Sequence, residues 1–329
     1  MTDQSIDLET LTDLCTPWCI HVVATLRIAD HLAAGVAAID QLAVAAQCDP
    51  DTLGRVLRHL ASKGVFVEPE AGRFALNRTA QGLLHRSQGQ FLDLDGIGGR
   101  MAGAWGSLLT AVRTGRPGYA DVFGLPFWED LDAHPEVAAS FDAMMGSAGH
   151  GSPNPNVRLT EGWESIRHVV DVGGGTGALL AEILRAHPNV HGTLVDLPRT
   201  VARAAEVFRT AGVDDRTTIF GQSFFDPLPS GADLYVLKNV LADWPDREAL
   251  VLLSRCADAA RPDGRVVILG GVSPDADGGP SPELLMLVLV GGKARSLAVF
   301  RSLARQAGLE VRVAGFLPSG RFAVECQPV

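Results

Sequence analysis

Asp171 to Gly177 carry the strongest chemical signal in this 329-residue chain: Asp-Val-Gly-Gly-Gly-Thr-Gly, after the apolar pair Val169-Val170 and before Ala178-Leu179-Leu180-Ala181-Glu182-Ile183-Leu184. That order predicts a strand, a tight glycine turn and a helix. Such a turn lets a ligand lie against bare backbone, near the positively polarised start of a helix. Asp171 narrows the chemistry. A dinucleotide fold needs its turn free for a pyrophosphate, which an acid there would repel, whereas a ligand with an ammonium group would welcome it. One helix later, Gly192 to Asp196 gives a second strand ending in an acid. That carboxylate can accept hydrogen bonds from both hydroxyls of a ribose, as in other nucleotide-binding α/β sheets.

These acids need a sheet to hold them. From Trp163 onward strands and helices alternate, with strands expected at 168–172, 192–195, 217–220, 233–238 and 265–270 and a late strand at Phe322-Ala323-Val324-Glu325. The pattern predicts a doubly wound α/β sheet with ligands at the strand C-termini. Upstream, apolar residues recur at helical spacing from Leu8 to about Ala34, with a break expected at Pro17. Asp49 reads as an N-cap with Pro50 at the first helical position, followed by a helix over Leu53–Leu60. Val65–Val67 and Arg73–Leu76 read as a hairpin around Ala71-Gly72, completing a winged-helix pattern. Arg55, Arg58 and His59 could face a DNA groove, but the net charge of -10 and the lack of a basic wing argue against a nucleic-acid partner.

Residues 88 to 150 read as bridging helices that carry Met101, Trp105, Phe127, Trp128, Phe141, Met144 and Met145. Any one of these suits core packing; as a set they suit an apolar substrate pocket. Gly146 to Asn156, including His150, is a loop by composition. The expected domains are 1–87, 88–156 and 157–329. Hydrophobic residues make up 47% of the chain, enough for a sizeable core. The five cysteines show no metal-ligand spacing, so no metal is expected, and free thiols fit a reducing cytoplasm. Met1-Thr2-Asp3-Gln4 is polar and unlike a signal peptide, and the apolar run Leu284–Val290 is too short to span a bilayer, so no membrane partner is expected.

Five stretches occur in a telling order: HVVDVGGGTGALLAEIL (168–184), GTLVDLP (192–198), GQSFFDPLP (221–229), LKNVLADWPD (237–246) and ARPDGRVVIL (260–269). With CTPWCIHVVATLRIADHLA (15–33) and FALNRTAQGLL (74–84), they resemble the S-adenosylmethionine-dependent O-methyltransferases of small aromatic molecules, especially the bacterial natural-product branch. The resemblance spans nearly the whole chain. It implies a class I Rossmann-like methyltransferase domain behind a mostly helical winged-helix dimerisation domain, hence a homodimer acting on a small aromatic substrate. It implies that Asp171, Gly173, Gly175 and Gly177 form the S-adenosylmethionine turn and that Asp196 with Leu197 meets the ribose. Ser223 and Phe224 would flank the adenine, Lys238 would lie near the cofactor and Trp244 would pack on it. The implied substrate pocket comprises Met101, Trp105, Trp128, Phe141, Met145, Ala242 and Met286.

The chain departs from the family at its chemistry. Many relatives read Leu-His-Asp-Trp after the fourth strand, and that His takes the acceptor's proton; here Leu241-Ala242-Asp243-Trp244 puts alanine in its place. The supporting Glu corresponds to Gly270, a common Asp to Glu283, and the Asp usual before Phe224 to Ser223. Three explanations stand. Methyl transfer proceeds by positioning and desolvation alone; or Asp243, Glu283 or His150 substitutes as the proton acceptor; or the scaffold has moved to a non-methylating reaction such as cyclisation, hydroxylation or decarboxylation. N- or C-methylation is a further option. Asp243 has a simpler reading as a helix cap before Pro245.

Overall fold

The computed structural model describes residues 7–84, 89, 91–147, 154–160, 162–274 and 282–329. The chain forms two compact units, one from residues 1–103 and 133–149, the other from 104–132 and 150–329. The stretch read as one bridge is thus shared between them.

After a one-turn helix at Leu8–Leu11, the first unit has α1 (Cys15–Thr25), α2 (Ile28–Ala33), α3 (Ile39–Ala45) and α4 (Pro50–Ser62), then the hairpin β1 (Phe66–Glu70) and β2 (Arg73–Leu76). Pro17 does not break α1 but sits in its first turn, where a missing N–H removes no helix bond. The break falls instead after Leu26, where Arg27 takes a left-handed φ of 51°. Asp49 caps α4 by accepting a hydrogen bond from the Thr52 N–H at 2.8 Å. Val23, Ile28, Leu42, Leu57, Leu60, Phe66 and Phe74 pack the core. Two of the three expected groove-facing residues are engaged inside the unit: a His59 ring nitrogen lies 2.8 Å from the Thr16 hydroxyl and Arg58 pairs with Glu68 at 3.3 Å. Cys15, Cys19 and His59 gather with their ligand-type atoms within 4.8 Å of one another, a grouping that sequence spacing did not announce. The helix Pro135–Ser147 takes in Gly146 and Ser147, which composition had placed in a loop.

The second unit is built on a seven-stranded sheet. Its elements are β3 (His168–Val172), α5 (Ala178–Ala186), β4 (His191–Asp196), α6 (Ala204–Ala211), β5 (Thr217–Gly221), β6 (Leu234–Lys238), α7 (Asp246–Ala260), β7 (Arg265–Leu269), α8 (Pro282–Val290), α9 (Leu297–Gln306), β8 (Leu309–Phe316) and β9 (Phe322–Pro328). The spatial order is β8-β9-β7-β6-β3-β4-β5. The five strands from β7 to β5 run parallel, while β9 is antiparallel to both β7 and β8. Central parallel strands are buried on both faces, which is why β3 and β6 read as nearly unbroken apolar runs. Val169, Leu234 and Val236 meet α5 and α6 on one face; Val170, Tyr235 and Leu237 meet α7 and α9 on the other. The chain reverses its winding between β3 and β6, and a doubly wound sheet binds ligands above that point. Among the described residues no helix is long and apolar enough to cross a membrane.

Candidate active site

β3 runs into the turn Gly173–Gly177, from which α5 leaves. Gly173, Gly175 and Gly177 hold left-handed φ values of 70, 64 and 84°. Gly174 is required for a different reason: a Cβ there would lie 2.4 Å from Asp171 Oδ2 and 2.6 Å from Leu194 Cδ1. Around Gly175 nothing lies within 4 Å of such a Cβ, so this edge of the turn is open.

Asp196 ties the turn to the end of β4. Its Oδ2 accepts the Gly175 N–H at 2.8 Å and its Oδ1 accepts the Leu197 N–H at 2.7 Å. Each oxygen keeps a further lone pair. Asp171 lies beneath the turn, 1% exposed, and neither carboxylate oxygen has a hydrogen-bond partner. Burial, and then the charge of Asp196, push its carboxyl up to about 7, against the pull of Lys238. A buried acid without partners is costly and calls for an account.

Phe224 stands over Gly173, its ring edge 3.4 Å from where a Cβ would be. It meets Trp244 edge-on at 5.8 Å, and Trp244 in turn stacks on Trp128 at 6.3 Å. The Ser223 hydroxyl oxygen accepts the Phe225 N–H at 3.2 Å, leaving its own O–H to donate. Lys238, at the end of β6, is half-buried, and burial followed by the charge of Arg321 lowers its pKa.

Ala242 and Asp243 sit in a one-turn helix over Leu241–Asp243. Two glycines let neighbouring loops close on it. A Cβ on Gly292 would lie 2.2 Å from the Ala242 carbonyl oxygen, and one on Gly271 2.9 Å from the Ala242 nitrogen. Asp243 does not cap α7; Pro245 occupies the cap position without a side-chain bond. Instead burial pushes the Asp243 carboxyl up to about 7. Sequence reasoning missed Arg295. Its buried guanidinium donates to the Leu241 carbonyl at 3.1 Å, to the Trp244 carbonyl at 2.8 Å and to Asp246 at 2.9 Å, pinning the turn from below. Nothing local in Gly-Gly-Lys-Ala-Arg announced that role.

Of the expected pocket residues, Trp105, Trp128, Ala242 and Met286 belong to the second unit, where α8, which carries Met286, packs on the Trp105 and Ala242 turns. Met101, Phe141 and Met145 belong to the first. His150 and the side chain of Glu283 lie outside the described residues.

Residues 105–310 match the O-methyltransferase domain family and residues 8–86 match the O-methyltransferase dimerisation domain. The 2,7-dihydroxy-5-methyl-1-naphthoate 7-O-methyltransferase of Streptomyces carzinostaticus is 41% identical over 312 residues, 94% of each chain. Aclacinomycin 10-hydroxylase RdmB of Streptomyces purpurascens is 40% identical over 320 residues, 94% of this chain and 85% of that one. The crystal structure of the neocarzinostatin O-methyltransferase NcsB1 in complex with S-adenosylmethionine and 2-hydroxy-5-methyl naphthoic acid superposes with a TM-score of 0.90 at 39% identity, over 99% of this chain and 100% of that one. The chain belongs to the S-adenosylmethionine-dependent O-methyltransferase family, with that family's helical dimerisation domain ahead of its Rossmann-like methyltransferase domain.

Proposed function

We propose that this protein methylates a phenolic oxygen of a fused-ring aromatic natural-product intermediate, of the naphthoate kind used by its relative, as a cytoplasmic homodimer. The observation that carries the reading is the glycine turn with its two acids: an open edge at Gly175, Asp196 braced at the end of β4, and an unpartnered Asp171 beneath. These residues fit S-adenosylmethionine. Asp196 offers its spare lone pairs to the ribose, Phe224 covers the adenine beside Leu197 and Ser223, and Asp171 faces the ammonium. When bound, the cofactor supplies a methyl group already activated on a sulfonium. The protein's part is to hold the phenol oxygen in line and keep water out, with Trp128, Trp244 and Met286 as an apolar wall. Positioning of that kind accounts for about 7–11 kcal/mol in favourable cases. Asp243, next to Ala242 and with its carboxyl pushed up to about 7 by burial, is our candidate to hold the released proton. The test incubates purified protein under air with S-adenosylmethionine, a thiol reductant that can supply the two electrons hydroxylation by dioxygen requires, and a panel of hydroxynaphthoic acids. A product heavier by one CH2 supports the reading. One heavier by a single oxygen favours hydroxylation, the second reading, which rests on the missing His and the 40%-identical hydroxylase.

An Ala242→His protein is expected to show an unchanged or lower turnover number. A general base contributes about 100-fold or more where proton removal limits the rate, so a gain of that size would overturn catalysis by positioning.

Affinity for S-adenosylhomocysteine is expected to depend on pH through Asp171. An ammonium beside this carboxyl favours its ionised form, so binding below about pH 7 expels a proton. Affinity then rises by up to about tenfold per unit from pH 6 to 7 and levels off above. The folding term has the opposite sign: a carboxyl raised above its ordinary value stabilises the free protein most in acid, and that contribution is lost as pH rises through about 7. Calorimetry in buffers of different ionisation enthalpy measures the proton release. An Asp171→Asn protein should lose it, and release that persists in this variant would assign the proton elsewhere.

A further inference from the structure

Cys15 and Cys19 lie four residues apart on α1, so the helix puts both thiols on one face. Their Sγ atoms are 3.8 Å apart. His59, on α4, brings a ring nitrogen to the same place, and the three ligand-type atoms all lie within 4.8 Å of one another. The group is braced from both helices. Asp13 Oδ1 accepts the Cys15 N–H at 2.9 Å and the Thr16 N–H at 3.1 Å, which fixes the first turn of α1. Asp13 Oδ2 lies 3.1 Å from the Nζ of Lys63, just past the end of α4. The Thr16 hydroxyl donates to Asp13 Oδ2 at 2.6 Å and stands 2.8 Å from His59 Nε2. The His59 ring is therefore held beside the sulfurs by contacts that run back to the helix carrying them.

A Cys15–Cys19 disulfide would need the sulfurs to close to about 2.05 Å and would use no third residue. A metal uses all three. Two thiolates on a tetrahedral zinc, each at about 2.3 Å, stand about 3.8 Å from one another, and that is the separation between Cys15 and Cys19. A neutral imidazole keeps one nitrogen bare for a metal. Soft sulfur with imidazole favours zinc over magnesium or calcium. Cys15 is exposed, which leaves the fourth position to water. We infer that Cys15, Cys19 and His59 bind one Zn2+ per chain. Both thiols release their protons as the metal enters. The ion ties α1 to α4 and so staples the helical unit.

The test uses the intact chain, reduced and stripped of metal. It is titrated with Zn2+ against a chromophoric chelator, and with Co2+ followed by absorption. The protein is expected to take up one ion per chain. Its Co2+ form should show a thiolate-to-metal charge-transfer band and the d–d bands of a four-coordinate site. Cys15→Ser and Cys19→Ser should each weaken the charge-transfer band and lower Zn2+ affinity by at least about 100-fold, the upper end of what losing a supporting residue costs. His59→Gln should lower affinity by a similar factor while keeping the charge-transfer band. Cys48→Ser, outside the cluster, should change neither. Zn2+ should raise the melting point of the intact protein but not that of Cys15→Ser, whose exposed position keeps the fold. No uptake by the reduced protein, uptake retained in both serine variants, or a cobalt spectrum without the thiolate band overturns the site. So does an affinity unchanged in His59→Gln, which would leave a plain cysteine pair.

Discussion

Asp196→Ala is expected to weaken S-adenosylhomocysteine binding by roughly 100- to 10,000-fold. The carboxylate already accepts the Gly175 and Leu197 N–H groups, at 2.8 and 2.7 Å, so it has one orientation before any ligand arrives. Each oxygen then has one lone pair left for a ribose hydroxyl. Hydrogen bonds to a charged group contribute about 1.5–3 kcal/mol each. Two such bonds, with little ordering cost at a fixed acceptor, give the stated range. Asp196→Asn separates bracing from charge. The amide keeps the shape, but its NH2 faces a backbone N–H on one side, so the loss should fall between the wild-type and alanine values. Calorimetry reads both variants, and an unchanged affinity in Asp196→Ala would remove the ribose assignment.

The parts of the site that were legible in the sequence are those written in local order. The glycine turn and the acid-tipped strands β3 and β4 can be read because a strand end, a turn and a helix start are each fixed by residues a few positions apart. The residues that hold the turn at Ala242 were not legible. Arg295 acts on Leu241 and Trp244, some fifty positions earlier, and nothing in its neighbourhood distinguishes it from a surface arginine. The same holds for Arg321 with Asn239 and for His59 with Thr16. Composition also misread Pro17, because the cost of a proline depends on its place within the helix. Of the large apolar residues of 88–150, Met101, Phe127 and Met144 are buried while Trp105 and Met145 are exposed, and apolarity does not say in which unit each lies: Met101 went to one and Trp128 to the other. β8 went unread because its residues alternate between sheltered and exposed positions around a register shift, giving no continuous apolar run.

Arg295→Met is expected to destabilise the protein by about 2–4 kcal/mol, the usual cost of leaving buried carbonyls unpaired and breaking a buried charged network. The side chain is fully buried and donates to Leu241, Trp244, Lys293 and Asp246. Methionine fills much of the volume but leaves the Leu241 and Trp244 carbonyls without that donor. Asp246 keeps its contact with Lys293 at 2.6 Å and is half-exposed, so it is not stranded as a buried charge. Burial acts against ionising Asp246, but the donors on Lys293 and Arg295 outweigh it and hold its carboxyl below the ordinary range. A lowered carboxyl stabilises at neutral pH and loses that contribution as pH falls below the ordinary carboxylate value. The variant should therefore lose less stability on acidification than the wild type. Its melting point should fall by roughly 5–10 °C at neutral pH. A purely structural role would stop there. Because Arg295 sets the turn that carries Ala242 and Trp244, turnover measured well below the melting point should also fall, by about 100-fold for a displacement on the order of 1 Å. Lysine at this position keeps the charge but cannot span the two carbonyls and Asp246 with one flat fork, so Arg295→Lys should recover stability more than turnover. Equal recovery of both would mean that Arg295 supplies charge alone and that the shape of the turn is set by Gly271 and Gly292.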